Sequence, residues 1–107
     1  MQRRISTLPN APLRALNQRA ARLLRKGEVR KAALALREAA SLAGDGPAFV
    51  RLAHVLGVLG KDAEALDALK QALYCFRHDH QRGRARTVAR MILKLDPADL
   101  GAQRKAA

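Results

Sequence analysis

Residues 60–73 read GKDAEALDALKQAL, and residues 27–40 read GEVRKAALALREAA. Laid over each other at an offset of 33, Gly27 falls on Gly60, Ala32 on Ala65, Ala35 on Ala68, Leu36 on Leu69 and Ala39 on Ala72. The register continues upstream, where Leu16 meets Phe49, Ala20 meets Ala53 and Leu23 meets Leu56. The unit written twice is therefore a pair of helical segments about a turning glycine. A fixed period of this length is how stacked repeats are written in sequence.

Outward from that pair, the apolar spacing predicts six helices. Leu13, Leu16, Ala20, Leu23 and Leu24 recur at helical intervals after Pro12, which suits a first helical position, and Gly27 ends the run. A second helix is expected over 28–43, with Ala32, Leu36, Ala39 and Leu42 inward. GDGP at 44–47 breaks the chain, and a third helix runs from Phe49 through Leu52, Ala53 and Leu56 to Gly60. The fourth spans 61–76 with Ala65, Leu69, Ala72 and Phe76 inward. HDHQRG at 78–83 reads as a loop before a fifth helix over 84–95, carried by Ala85, Val88, Ala89, Ile92 and Leu95. Asp96, Pro97 and Asp99 then set a short sixth helix over 97–105. Residues 1–10 show no helical period and read as a flexible basic tail. The connections are short, so successive helices pack antiparallel as hairpins.

Composition agrees with an all-α fold. Of the 107 residues 49% are hydrophobic but only 3% aromatic, which suits helices approaching closely over small side chains. No apolar run reaches the length of a membrane span, and nothing apolar follows the basic N-terminus, so the expectation is a soluble, cytoplasmic protein. Cys75 is alone and has no internal disulfide partner. The net charge of +12 is unevenly placed: +7 over residues 1–26, 0 over 27–79 and +5 over 80–107. Basic ends flanking a neutral repeat attract anions, although 15 arginines in an alanine- and leucine-rich chain also fit G+C-rich coding.

A helix-turn-helix repeat of this period, with Ala20 and Ala32 in one copy and Ala53 and Ala65 in the next where paired helices meet, resembles the tetratricopeptide repeat (TPR) family. The resemblance covers residues 13–79, as repeats over about 13–45 and 46–79, and LKLDP at 93–97 resembles the family's repeat ending. Leu16 stands where the family often has an aromatic, which Phe49 supplies in the second copy, and Val29 and Asp62 replace the aromatic common after the turn. The spacing from Ala72 to the LDP of residues 95–97 is too short for a complete third repeat, leaving the fifth helix either the opening of a truncated one or a cap. The resemblance implies a short right-handed solenoid whose groove, lined by the first helix of each pair, holds an extended or helical peptide. In this sequence the groove positions are Asn17, Ala21, Leu24, Val50, His54 and Gly57, joined by Arg86 and Arg90 if the fifth helix opens a repeat. Some family members clamp peptide carboxylates with basic residues at such places; the first helix here offers Asn17 and Ala21.

Other constellations are weaker. Arg82, Arg86, Arg90 and Lys94 recur every four residues along one stripe of the fifth helix, an arrangement whose mutual repulsion costs a few tenths of a kcal/mol per pair. Such a stripe is either a solvated face or a surface for something anionic, and a second basic cluster at Arg19, Arg22, Arg25 and Lys26 has the same two readings. CFRHDH at 75–80 brings Cys75, His78 and His80 close in sequence, short of the four ligands of a closed zinc site, so no metal or other cofactor is expected. LGKD at 59–62 has the glycine and lysine of a phosphate loop, but Asp62 replaces its Ser or Thr. No nucleophile stands beside a base, so no catalytic residue is named and no enzyme is expected. The function expected is a protein-interaction module taking a partner segment, acidic by charge. Nucleic-acid binding through the arginine-rich ends is the alternative; against it stand only three aromatics, too few for a base-stacking platform, and no recognisable nucleic-acid motif.

Overall fold

A computed structural model describes residues 11–107, and the stretch read as a basic tail, 1–10, lies outside the described residues. Six helices follow in order: α1 (Ala11–Arg25), α2 (Val29–Ala43), α3 (Gly46–Val58), α4 (Asp62–His78), α5 (Arg82–Leu95) and α6 (Leu100–Ala106). Among the described residues there is no strand. Each helix packs mainly on the one before it and the one after it, so the chain stacks hairpins in sequence. The dimensions, 52 × 33 × 16 Å, are those of an elongated slab. A radius of gyration of 15.2 Å exceeds the ~13 Å of a compact domain of this length. The chain is a short helical solenoid.

The repeat extends into the backbone. Gly27 and Gly60 close α1 and α3 in the left-handed region, with φ of +78° and +76°. After each, the next N–H reaches back five residues: Glu28 donates to Leu23 and Lys61 to Leu56, both at 2.9 Å. The glycines donate to Leu24 and Gly57 at 3.0 Å, completing the six-to-one and five-to-two pattern that satisfies helix-end carbonyls. The α2–α3 turn differs, because Gly44 (φ +59°) is followed by Asp45, whose side chain accepts the Ala48 N–H at 3.0 Å and caps α3.

Alanine fills the seams between helices. Ala32, Ala72, Ala89 and Ala102 are completely enclosed, and the largest side chains at the centre are Leu56 and Ile92. Small residues let the helix axes approach, and interiors of this kind are close-packed.

Three expectations are corrected. The loop after α4 is three residues long rather than six, because His80 adopts the left-handed conformation (φ +58°) and repeats the glycine turn, with Gln81 donating to Phe76 at 2.8 Å. The last helix starts at Leu100 rather than at Pro97. Asp99 accepts the Ala102 N–H at 2.8 Å and makes the cap, while Asp96 accepts only from Ala98 at 3.3 Å and closes a turn. Leu42 and Leu95, expected inward, are 59% and 40% exposed, since each falls at or beyond the margin of its helix's buried stripe. Ala40 and Ala43 cover the inner end of α2 instead.

The extra residues at the end of α4 and in its turn shift the repeat to an offset of 36. On that offset Phe49 meets Ala85, Leu52 meets Val88, Ala53 meets Ala89 and Leu56 meets Ile92, all at least partly buried in the same core. α5 and the seven-residue α6 thus stand as a third hairpin.

Candidate peptide-binding groove

The first helices of the three hairpins, α1, α3 and α5, share one face. An open groove of about 640 Å³ between them is lined by Asn17, Ala20, Ala21 and Leu24 from α1, Val50, Arg51, His54 and Val55 from α3, Leu36 behind them and Met91 from α5. A hollow of about 420 Å³ adjoins it through Asn17 and Ala21 and adds Leu13 and Arg14. Another of about 370 Å³ continues past Val50, Arg51 and Met91 to Phe76, Arg84 and Thr87. The three form one trough along the hairpin stack.

Its surface is mostly apolar, and among the described residues the charged side chains lining the three hollows are Arg14, Arg51 and Arg84, while a fourth hollow, which shares His54 and Met91 with the central groove, adds Asp62 and Lys94. Arg84 is held with its guanidinium carbon 5.9 Å from the centre of the Phe76 ring, within the range of a cation–π contact. None of the three arginines forms a salt bridge with a described acidic residue. The opposite side of the molecule contrasts with this. There Arg37 of α2 and Glu64 of α4 pair at 2.7 Å beside Asp67, joining the two hairpins across an exposed surface.

Of the residues read from sequence, Asn17, Ala21, Leu24, Val50 and His54 come together in the central groove. Gly57 stands beside them in an adjoining hollow that His54 shares with Val58, Asp62, Lys94 and Leu95. Arg51, Val55, Met91 and Arg84 were not foreseen. Arg51 follows from His54 at a spacing of three and Val55 from Arg51 at a spacing of four; Met91 and Arg84 require knowing that α5 opens a third hairpin.

Arg82, Arg86 and Arg90 are exposed and line none of the three hollows of the trough, and Lys94 lines only the hollow beside Gly57. None of the four pairs with a described acidic residue. The 36-residue offset places Arg86 and Arg90 on the helical positions of Val50 and His54. They therefore stand at the open C-terminal edge of the same face.

The cysteine–histidine stretch is dispersed. Cys75 is half-buried with Sγ 3.6 Å from the Gly44 carbonyl, and its burial, with Asp79 and Asp45 nearby, pushes the thiol pKa up. His78 stacks on Tyr74 with ring centres 6.1 Å apart, and His80 is committed to the turn. Among the described residues no group of three or more His, Cys, Asp or Glu is placed to hold a metal ion. No described helix is long and apolar enough to cross a membrane.

No protein-family model matches the sequence, and no curated protein matches it significantly. Among solved structures, the chain is similar to the second TPR domain of the human RPAP3 protein, in complex with the HSP70 peptide SGPTIEEVD. The likeness covers 91% of this chain and 93% of that one, with a TM-score of 0.56 and 13% sequence identity. The fold is of the tetratricopeptide type. At this identity the TPR likeness rests on the stacking of helices, which agrees with the hairpin pairing and glycine turns described above.

Proposed function

We propose that this chain is a non-enzymatic protein-interaction module that takes an acidic segment of a partner protein along the trough of α1, α3 and α5. The single observation that carries the proposal is the groove's lining: an apolar floor with Arg14, Arg51 and Arg84 along it and, among the described residues, a single carboxylate, Asp62, which lies with Lys94 in the hollow at Gly57. A surface of one charge sign over low-dielectric walls concentrates the opposite sign, and the apolar floor supplies the desolvated centre that binding requires. Asn17, Ala21, Leu24, Val50, His54 and Gly57 form the groove, and the stripe of Arg82, Arg86, Arg90 and Lys94 extends its attraction at the C-terminal edge. The TPR domain of RPAP3 supports the reading by analogy, since the peptide in that complex carries three acidic residues and no basic one. A lone, half-buried cysteine fits action in the cytoplasm.

An array of acidic nonapeptides, including SGPTIEEVD, tests the proposal beside a matched array with lysine at every acidic position. The expected result is retention of acidic members only, lost in the Arg51→Glu and Val50→Glu variants. Equal retention of both arrays would overturn it. So would preferential retention of single-stranded oligonucleotides, whose binding would fall steeply with salt in proportion to the phosphates contacted.

A further inference from the structure

On the side of the molecule opposite the trough, a hollow of about 340 Å³ between α2 and α4 has the opposite sign of charge. Half-buried Phe49 and buried Leu52 form its floor, and Ser41, Glu64, Asp67 and Gln71 stand around it. Arg37 and Lys61 both turn to Glu64, at 2.7 and 3.8 Å, whereas Asp67 pairs with no described basic residue. Ser41 and Gln71 add oxygens able to accept from a donor at the same place. Of the hollows described, only here do carboxylates outnumber cations. In a chain of net charge +12, an acidic hollow with an aromatic floor and an uncompensated carboxylate fits a basic side chain with an apolar neighbour.

We propose that the occupant is the chain's own N-terminal segment, MQRRISTLPN, with an arginine of the Arg3–Arg4 pair on Asp67 and Ile5 over Phe49 and Leu52. The segment carries two arginines and no acidic residue, so Arg14, Arg51 and Arg84 repel it from the trough. Its point of attachment suits the hollow. α1 and α2 run antiparallel about Gly27, so α1 begins at the end of the molecule where α2 finishes, and Ser41 lies in that last turn of α2. Arg4 stands seven residues before Ala11, a span of roughly 23 Å for extended chain, which is about twice the width of the one helix to be crossed. An arginine offers a planar fork to the carboxylate and a stem that lies along apolar surface. An exposed ion pair alone contributes little. Ile5 on the aromatic floor adds the apolar contact, and tethering gives the segment an effective concentration on the order of millimolar. Docked there, the segment fastens α1 to α4 from behind and braces the first hairpin against the second, whose first helices flank the central groove.

The test places a nitroxide label on the full chain through Gln2→Cys, with Cys75→Ala to remove the other thiol, and follows backbone amide intensities. Ser41, Asp67, Ala68 and Gln71 should lose most of their intensity relative to the reduced, diamagnetic label. The loss should vanish in Asp67→Lys and in the Arg3→Glu, Arg4→Glu double variant, and return when the two reversals are combined. Broadening confined to the first turn of α1 overturns the proposal, as does broadening centred on Asn17, Val50 and Met91, which would put the segment in the trough. Unchanged broadening in Asp67→Lys overturns it as well. A label-free comparison covers failure of the cysteine variants to fold: amide shifts at Ser41, Asp67 and Gln71 should differ between the parent and the Arg3→Glu, Arg4→Glu chain, and identical shifts there would equally overturn it.

Discussion

Gly46, at the start of α3, lies directly against the ring of Phe76 near the end of α4, so closely that a β-carbon on the glycine would overlap the ring. Both residues are buried, Phe76 to 3% exposure, and the contact locks the second hairpin at its open end. Gly46→Ala should therefore destabilise the fold by about 1 to 3 kcal/mol through overpacking. Gly83→Ala is the control, because a β-carbon there meets nothing within 4 Å and helix propensity gains up to about 1 kcal/mol. Urea unfolding of the two variants checks the pair, which should move in opposite directions.

The hairpin seam gives a second expectation. Ala53 and Ala65 are exposed by only 4% and 2%, and they are the small residues at which α3 and α4 meet. Ala53→Leu and Ala65→Leu should each cost about 1 to 3 kcal/mol, whereas Ala63→Leu, on the outer face of α4, should fall within about 0.5 kcal/mol of the parent. Thermal melts of the three variants measure this.

His80 takes a turn conformation that glycine takes after α1 and α3. A side chain in the left-handed region costs about 1 kcal/mol or more, so His80→Gly should stabilise the chain, by less than that because the unfolded state gains freedom. Gly60→Ala should do the reverse. His80→Gly melting below the parent would show that the turn carries no strain.

The 33-residue register of Ala20, Ala32, Ala53 and Ala65 was legible in the sequence because a close helix seam must keep small residues at a fixed spacing, whereas an exposed helix face is free to vary. That register led to the fold. The third hairpin was hidden, because a histidine replaced the expected glycine and added residues moved its register to 36. The groove positions on α1 and α3 came through the family resemblance, while Arg84 and Met91 depended on a helix whose role the register had lost. The cap at Asp99 competed with Asp96–Pro97, and only the geometry of the Ala102 N–H decided between them.

Acid should loosen the C-terminal hairpin first. The Ala102 N–H, and then Lys70 at 3.4 Å, hold the Asp99 carboxyl below its ordinary pKa. A depressed folded-state pKa means that the stabilisation is complete above the ordinary aspartate range and is lost as pH falls through the lower folded value. The Ala102 amide signal and the helicity of α6 should decay in that window on an NMR titration. Asp99→Asn, which keeps a capping oxygen but does not titrate, should flatten the response.

Whether the α1–α3–α5 trough receives an acidic segment is decided by titrating the isotope-labelled chain with the tightest-binding acidic nonapeptide and following backbone amide shifts. Saturable shifts should concentrate at Asn17, Ala21, Leu24, Val50, His54, Arg84 and Met91. Shifts concentrated instead on the outer faces of α2 and α4, around Leu34 and Tyr74, would contradict the assignment of the trough as the binding surface.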